Sequence, residues 1–266
     1  MRVALGQITT SRNKAENLEK MRRMAARAAS AGDDLIVFPE GAMVHFGDPG
    51  EMLSPVAEPV DGPFVQQLKD VARESGIAIV FGMFEPGEGS RVYNTVAALG
   101  PDGSLLGYYR KIHLFDAFGH RESDRIQPGS GSVLTFELGG LKLGVMTCYD
   151  VRFPELGRRL VDEGAEAIVL PAGWVHGLLK EAHWEVMVRA RAIENTVYLL
   201  AADQVGNIYS GSSMIVDPMG VVIARAGEEE GLLRGEVDRK RIEEARAKLP
   251  SLLHRRFMVS LPGSNR

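Results

Sequence analysis

The sequence predicts an α/β fold in which helices cover apolar strands, and three observations support this class. Short apolar runs with the length of buried strands, such as Leu35-Ile36-Val37-Phe38, recur along the chain. Segments with helical periodicity lie between them, and the second half repeats the strand and helix order of the first. Apolar strands joined through helices form sheets whose faces are covered, so we expect an α/β sandwich.

The first half opens with a strand at 3–7 and an amphipathic helix. In that helix Leu18, Met21, Ala25 and Ala28 recur at helical spacing, within a stretch rich in Lys and Arg. The other elements predicted here are a helix near 63–75 and strands at 35–38, 77–83, 92–99, 105–111 and 133–138. The third and fourth of these strands resemble a hairpin, so mixed or antiparallel pairing is expected in the sheet.

The second half begins with a buried strand and a helix whose first turn contains Pro154. Its predicted strands are 141–147, 167–171, 197–203, 211–217, 221–226 and 231–237, and its predicted helices are 153–164, 181–195 and 239–249. No linker, low-complexity tract or short repeat divides the chain, so we expect one domain over 1–266. A tail from about residue 250 should dock on the domain or on a partner subunit, because it carries Leu252, Leu253, Phe257, Met258 and Leu261.

Composition excludes several classes of protein. The chain is 45% hydrophobic and 25% charged, as in ordinary globular proteins, and its net charge of -4 gives no reason to expect nucleic acid as a partner. No stretch approaches the roughly 18 apolar residues of a membrane span, and the first residues lack the pattern of a secretory signal. One unpaired cysteine fits a reducing compartment, so a cytoplasmic location is expected.

That cysteine, Cys148, lies after the apolar run 141–147 and shortly before Pro154. A single thiol is either a small buried hydrophobe or a nucleophile, and its sequence neighbours favour the second. Between the end of a strand and the start of a helix, backbone N–H groups point outward and the potential is positive. Such a position favours a thiolate and can bind an oxyanion.

Glu40 and Lys111 also lie at or near the ends of apolar strands. Ligands of open α/β sheets gather at the carboxyl ends of strands, so these two residues and Cys148 could converge there. Together they supply a base, an ammonium group and a nucleophile. Taken singly, Glu40 could be a turn carboxylate and Lys111 a solvated cation. In an alternating strand Arg110 and Lys111 face opposite sides.

Three segments resemble the nitrilase superfamily of carbon–nitrogen hydrolases: Pro39-Glu40, Tyr109-Arg110-Lys111-Ile112-His113-Leu114-Phe115-Asp116, and Cys148-Tyr149-Asp150-Val151-Arg152-Phe153-Pro154-Glu155. Their order and spacing match over residues 3–238. The resemblance implies a four-layer α-β-β-α sandwich and a triad in which Glu40 is the general base, Cys148 the nucleophile and Lys111 the electrostatic partner. It also implies an oxyanion donor at the Tyr149 N–H and a second glutamate, for which Glu122 is the candidate. We expect neither a metal nor an organic cofactor.

The residues after Cys148 resemble the branch of omega-amidases and deaminated-glutathione amidases. This implies hydrolysis of a small carboxamide, such as an omega-amide of a dicarboxylate or keto acid, with Arg152 binding a substrate carboxylate and Trp174 forming a pocket wall. Arg152 could instead pair with Asp150 or Glu155, and Trp174 could be a buried structural residue. The resemblance to omega-amidases implies small hydroxyl-bearing side chains near the substrate carboxylate, but this chain has Leu178-Leu179-Lys180 there.

The alternatives within the superfamily are an N-carbamoyl-amino-acid hydrolase and a nitrilase, and the alternative outside enzymes is a catalytically silent binding protein. The resemblance further implies a homodimer or higher homo-oligomer, with the helices at 153–164 and 181–195 at the interface. Gly157 and Gly164 allow close approach of helices there, although glycine serves equally for packing within one chain.

Overall fold

Two six-stranded sheets dominate the computed structural model, which describes residues 1–48 and 50–260. In chain order the strands are β1 (Arg2–Gln7), β2 (Leu35–Val37), β3 (Ala78–Pro86), β4 (Val92–Leu99), β5 (Leu105–Arg110), β6 (Leu134–Leu138), β7 (Leu141–Val145), β8 (Ala167–Ala172), β9 (Tyr198–Asp203), β10 (Val205–Gly206), β11 (Tyr209–Ser210), β12 (Met214–Val216), β13 (Val222–Arg225) and β14 (Gly231–Glu236). The helices are α1 (Lys14–Ser30), α2 (Pro63–Ser75), α3 (Pro154–Asp162), α4 (Lys180–Asn195), α5 (Arg239–Lys248) and α6 (Ser251–His254). None of the helices in the described part of the chain has the length and apolar character needed to cross a bilayer.

Both sheets follow the same plan. The first has the order β14-β1-β2-β3-β4-β5 and the second has the order β13-β12-β9-β8-β7-β6. In each sheet three parallel strands lie in the middle, namely β1, β2 and β3 in the first and β7, β8 and β9 in the second. The outer strands pair antiparallel. The predicted mixed pairing is therefore present in both sheets.

Side-chain alternation along the strands creates the layers. On β1, Val3 and Leu5 belong to the core that joins the two sheets, whereas Ala4 packs with residues of α1 and α2 on the outer face. Trp184 and Val188 of α4 pack into the core of the second sheet. Each sheet is thus covered by its own pair of helices, and the α-β-β-α sandwich expected from the sequence is confirmed.

Local signals explain where the helices begin. The Asn13 side chain accepts hydrogen bonds from the N–H groups of Ala15 and Glu16 and so caps α1, whose predicted apolar face is buried. α3 begins at Pro154, as predicted, because proline lacks the N–H that has no partner in a first helical turn.

One predicted strand is wrong in extent. The run 211–217 forms a strand only over β12, because Gly211 and Ser212 have positive φ angles of 67° and 64°, which end the extended conformation. Preceding them is a short hairpin of β10 and β11 that the sequence pattern did not predict. In the tail, Leu253, Phe257 and Met258 are exposed, and Leu261 lies outside the described residues.

Candidate active site

Four strands end at one edge of the sandwich and carry the candidate residues there. β2 is followed by Glu40, β5 by Lys111, β7 by Cys148 and β8 by Gly173. In each sheet these strands run parallel, since β5 is antiparallel to β4 and β4 to β3. The convergence at strand ends that the sequence predicts is what the structure shows, with Glu40, Lys111 and Cys148 all buried.

Glu40 is positioned by the close approach of its backbone to Gly82 of β3. A Cβ atom on Gly82 of β3 would lie 2.5 Å from the Gly41 nitrogen and 2.6 Å from the Glu40 Cα, so only glycine fits at this point of the strand. The Glu40 carboxylate accepts hydrogen bonds from Lys111 Nζ at 2.9 Å and from the Gly173 N–H at 2.9 Å. The second of these contacts links the end of one sheet to the end of the other.

Lys111 lies between two carboxylates. Its Nζ donates to Glu40 at 2.9 Å and to the two oxygens of Glu122 at 3.1 and 2.8 Å. Burial by itself lowers the pKa of Lys111, but the charges of Glu122 and Glu40 outweigh it and raise the pKa well above its ordinary value. Arg110 faces the other way and pairs with Glu85, so the predicted alternation at this strand end is confirmed.

Asn94 joins the two carboxylates, and the sequence analysis missed it. Its Nδ2 donates to Glu40 at 2.7 Å and to Glu122 at 3.1 Å, and the residue is fully buried. Glu122 also accepts from the Phe115 N–H at 2.6 Å. An asparagine inside an otherwise apolar strand is unfavourable for strand formation, and that was the available signal.

Cys148 begins a 3-10 helix, Cys148–Arg152, with a positive φ of 47°. This conformation is strained for a residue with a side chain and is tolerated where surrounding contacts determine it. Asp150 supplies those contacts, because it is fully buried and its carboxylate accepts from the Thr147 N–H at 3.0 Å and from the Tyr109 hydroxyl at 2.7 Å. His113 Nδ1 lies 2.7 Å from the same carboxylate. The turn that carries the thiol is thereby tied to the strand end that carries Lys111.

The thiol of Cys148 differs from the sequence-based expectation of a favoured thiolate. Burial raises the pKa of Cys148 well above its ordinary value, and the charge of Glu40 raises it further, while Lys111 opposes them. The position at a helix start acts in the expected direction, but desolvation and the nearby carboxylate outweigh it. This direction favours the neutral thiol, whose Sγ lies 3.8 Å from the Gly173 carbonyl oxygen.

A cleft of about 360 Å³ opens onto these groups. Polar residues line it together with an apolar wall formed by Phe46, Phe115, Val175, Ile208 and Tyr209. A smaller cavity of about 20 Å³ adjoins Cys148 and is lined by Phe115, Tyr149, Gly173, Trp174, Val175 and Lys180. Within residues 1–48 and 50–260, no three His, Cys, Asp or Glu side chains are grouped as ligands for a metal ion.

Arg152 forms neither of the ion pairs considered from the sequence. The Asp150 carboxylate binds Tyr109 and His113 instead, and the nearest polar partner of Arg152 is His183 Nδ1 at 3.5 Å from Nη2. Its guanidinium lies 4.9 Å from the centre of the Trp174 ring.

Trp174 is buried and lines the smaller cavity, so it combines the two roles considered. Its indole N–H donates to the Lys180 carbonyl at 2.7 Å, and its backbone N–H donates to the Asp203 carboxylate at 2.7 Å. Asp203 is a second buried residue that the sequence analysis missed. Burial raises its pKa well above the ordinary value.

Comparison with known proteins places this geometry in a family. The carbon-nitrogen hydrolase family model matches residues 2–247. A deaminated glutathione amidase of Escherichia coli O157:H7 is 37% identical over 97% of this chain and 98% of its own length. The mouse omega-amidase (Mus musculus) is 36% identical over 96% of this chain and 95% of its own.

Among solved structures, an amidase from Nesterenkonia sp. AN1, with acrylamide added to its active-site cysteine, superposes with a TM-score of 0.81 at 28% identity. The alignment covers 95% of this chain and 99% of that one. The predicted superfamily, the predicted fold and the predicted hydrolysis of an amide to a carboxylate are confirmed. On a family match that spans residues 2–247 and on relatives similar over nearly their whole length, this chain belongs to the carbon–nitrogen hydrolase family.

Proposed function

We propose that Glu40, Lys111 and Cys148 hydrolyse a small carboxamide to a carboxylate and ammonia through a thioester on Cys148. One observation carries the proposal: a carboxylate, an ammonium group and a thiol lie together at the buried floor of the cleft, with Glu40 bonded to Lys111 at 2.9 Å. These are the groups that nucleophilic acyl transfer needs, namely a base, an electrostatic partner for the oxyanion and a nucleophile.

Acylation begins from the neutral thiol. Glu40 takes the proton from Sγ as the sulfur attacks the amide carbon, and the carbonyl oxygen becomes an oxyanion held by Lys111 Nζ and the Tyr149 N–H. The raised pKa of Lys111 keeps it an ammonium group, so it stabilises charge and does not act as the base. The intermediate collapses, the C–N bond breaks, and ammonia leaves with the proton that Glu40 had taken.

Deacylation reuses the same carboxylate. Glu40 takes a proton from water as the water oxygen adds to the thioester carbon, and collapse breaks the C–S bond. The sulfur recovers its proton from Glu40, and the carboxylic acid is released. Two carboxylates, Glu40 and Glu122, face the single ammonium of Lys111, so the charge next to Cys148 disfavours retention of the carboxylate that the reaction forms there.

The remaining predicted residues have supporting roles in this proposal. Glu122 holds Lys111 in place through contacts at 2.8 and 3.1 Å. Arg152 and Trp174 lie on the acyl side of Cys148, where a substrate carboxylate meets the guanidinium, as in an omega-amide of a dicarboxylate or keto acid. Trp174 and Tyr149 line the smaller cavity beside Cys148, and the Arg152 guanidinium lies 4.9 Å and 5.8 Å from their ring centres, which supports this assignment.

The test is a substrate panel with ammonia release as the measurement. It contains glutaramate-type amides, simple aliphatic amides, N-carbamoyl-amino acids and nitriles, each with the natural chain and with Cys148→Ala. We expect turnover of one or more amides by the natural chain, a transient acyl adduct on Cys148 by mass spectrometry, and neither with Cys148→Ala. Turnover of carbamoyl compounds alone, or of nitriles alone, would reassign the reaction. No release and no adduct would leave only a binding protein.

We further propose that residues 1–266 form one domain that assembles as a homodimer through α3 and α4. On α4 the side chains of Val186 and Ile193 are exposed. The tail from about residue 250 docks on the domain or on the partner subunit: its Arg255 pairs with Asp162 of the same chain, and its Leu253, Phe257 and Met258 are exposed. Sedimentation of the natural chain and of Val186→Glu tests this assembly, with a shift of the variant to monomer as the expected result. The unpaired Cys148 supports the cytoplasm as the place of action.

A further inference from the structure

Lys180 is a buried cation beside the nucleophile that the triad does not use. It opens α4 and is only 5% exposed. Its Nζ lies 4.5 Å from the ring centres of Phe115 and Trp174 and 5.1 Å from that of Phe118. Aromatic faces attract a cation, but they replace only part of the hydration that burial removes.

No carboxylate forms an ion pair with Lys180 among residues 1–48 and 50–260. The largest favourable charge effect on Lys180 comes from Cys148, the nucleophile itself. The two carboxylates that also act on it are engaged elsewhere: Asp203 accepts from the Trp174 N–H, and Glu181 accepts from the Gly177 N–H at 3.4 Å. Burial lowers the pKa of Lys180, which is the sign of a cation that lacks a compensating charge. A buried charge of this kind is stabilised only when a counter-charge arrives.

Arg152 is a second such cation on the same aromatic wall. Its guanidinium lies 4.9 Å from the Trp174 ring centre and 5.8 Å from that of Phe118, so two of the three rings around Lys180 also contact Arg152. Arg152 Nε is buried and has no hydrogen-bond partner in the described structure. The charge of Arg152 further lowers the pKa of Lys180, so the two cations repel each other.

The position of Lys180 relative to Cys148 shows which part of a ligand it can meet. Lys180 lines the smaller cavity and Lys111 lines the main cleft, and Cys148 borders both. Lys111 is already held by Glu40 and Glu122, whereas the Lys180 ammonium has no such partner. The smaller cavity, of about 20 Å³, has room for a terminal group with one or two oxygens but not for a whole chain. An acyl group attached to Cys148 can therefore bring a terminal carboxylate to Lys180.

We propose that Lys180, together with Arg152, binds an anionic group at the far end of the acyl chain, and that Lys180 thereby selects omega-monoamides of dicarboxylic acids over uncharged amides. One carboxylate has two oxygens and can accept from an ammonium and a guanidinium at once. It supplies the counter-charge that both cations lack. This inference rests on the proposed amidase reaction and adds a specificity-determining residue to it.

The experiment compares glutaramate with glutaramide, which have nearly the same shape and differ in the charge of the far end. We expect the natural chain to prefer glutaramate in kcat/KM. Lys180→Met should lower kcat/KM for glutaramate by about 10- to 100-fold, mainly through KM, because a hydrogen bond to a charged group is lost. For glutaramide the same variant should lower kcat/KM by at least about tenfold less, because its far carboxamide can accept a hydrogen bond but carries no charge.

Lys240→Met is the matched control, since that lysine is exposed on α5 and its side chain is 80% accessible. Equal losses for both substrates in Lys180→Met would overturn the proposal and make Lys180 a structural residue. If Lys180→Met does not fold, the natural chain decides the matter, because equal efficiency on glutaramate and glutaramide also overturns it.

Calorimetry on Cys148→Ala separates this inference from the proposed reaction. Tighter binding of glutaramate than of glutaramide, lost in the Cys148→Ala/Lys180→Met double variant, supports the anion site even if no amide is hydrolysed. Hydrolysis of both amides without tighter binding of glutaramate would contradict the anion site but not the amidase reaction.

Discussion

Replacing Glu122 by glutamine removes a charge from Lys111 with almost no change in shape. The carboxylate accepts four hydrogen bonds, from the Phe115 N–H at 2.6 Å, from Lys111 Nζ at 2.8 and 3.1 Å, and from Asn94 Nδ2 at 3.1 Å. A glutamine has one acceptor oxygen and one NH2 group. If its oxygen keeps the Phe115 contact and the shorter Lys111 contact, its NH2 group faces two donors, Lys111 and Asn94.

The magnitude follows from those two lost contacts. A hydrogen bond to a charged group contributes about 1.5–3 kcal/mol, but Lys111 and Asn94 both keep their bonds to Glu40, so the loss in Glu122→Gln is nearer about 3 kcal/mol in total. If that energy serves to hold Lys111 against the oxyanion, kcat falls about 100-fold, and the loss of one oxyanion donor has an effect of similar size. KM should stay within about threefold, because the oxyanion that Lys111 stabilises exists only in the transition state and intermediate, not in the bound substrate.

The pH dependence of kcat should also change in Glu122→Gln. Burial lowers the pKa of Lys111 and the charge of Glu122 is the largest factor that raises it, so Glu122→Gln should lower that pKa. Activity requires the ammonium form and is lost as pH rises through this pKa, so the alkaline limb of kcat should move to lower pH. Ammonia release from glutaramate across pH measures both effects.

Glu163→Gln is the matched control, because Glu163 pairs with Arg159 on the surface and its side chain is 41% exposed. A folded Glu122→Gln variant with the kcat and the alkaline limb of the natural chain would refute the role assigned to Glu122.

Two further predictions concern Cys148 and the position of Glu40. The rate at which Cys148 reacts with a small uncharged thiol reagent should still rise with pH at about pH 9. The reason is that burial and the charge of Glu40 hold the pKa of Cys148 well above the ordinary value. A rate that levels off near neutral pH would contradict this. Gly82→Ala should displace Glu40, so that kcat falls at least about 100-fold and the free energy of unfolding falls by about 1–3 kcal/mol. The control is Gly227→Ala, whose added methyl group meets no atom within 4 Å and should change neither quantity. Ammonia release measures kcat, and thermal unfolding measures stability.

Much of the fold was predictable because the signals for it are local. The buried face of α1 and the start of α3 at Pro154 follow from spacing and from one residue's chemistry. The run 211–217 was predicted too long, since the positive φ angles of Gly211 and Ser212 belong to a loop that tertiary contacts hold. In that loop the Ser210 N–H donates to the Trp174 carbonyl at 2.8 Å, across 36 positions of sequence that no local pattern connects.

The residues of the candidate site also fall into those that the sequence indicates and those whose roles depend on the tertiary structure. Glu40, Lys111 and Cys148 could be identified because each lies at or near a strand end and within a recognisable segment. The roles of Asn94 and Lys180 depend on distant parts of the chain. Asn94 is an unusual residue for a strand, but the carboxylate that it contacts is 54 residues away, and Lys180 contacts aromatic rings from two loops.

The sequence by itself therefore determined the fold class and the family, and it supplied the candidates for the reacting groups, because these depend on residue types and their spacing. Only the tertiary structure decided the direction in which the pKa of the thiol moves, the contact of Lys111 with Glu122, and the placement of Lys180 and Arg152 on one aromatic wall. The physical reason is that desolvation and Coulomb interactions depend on burial and on distances of a few ångströms between residues far apart in the chain.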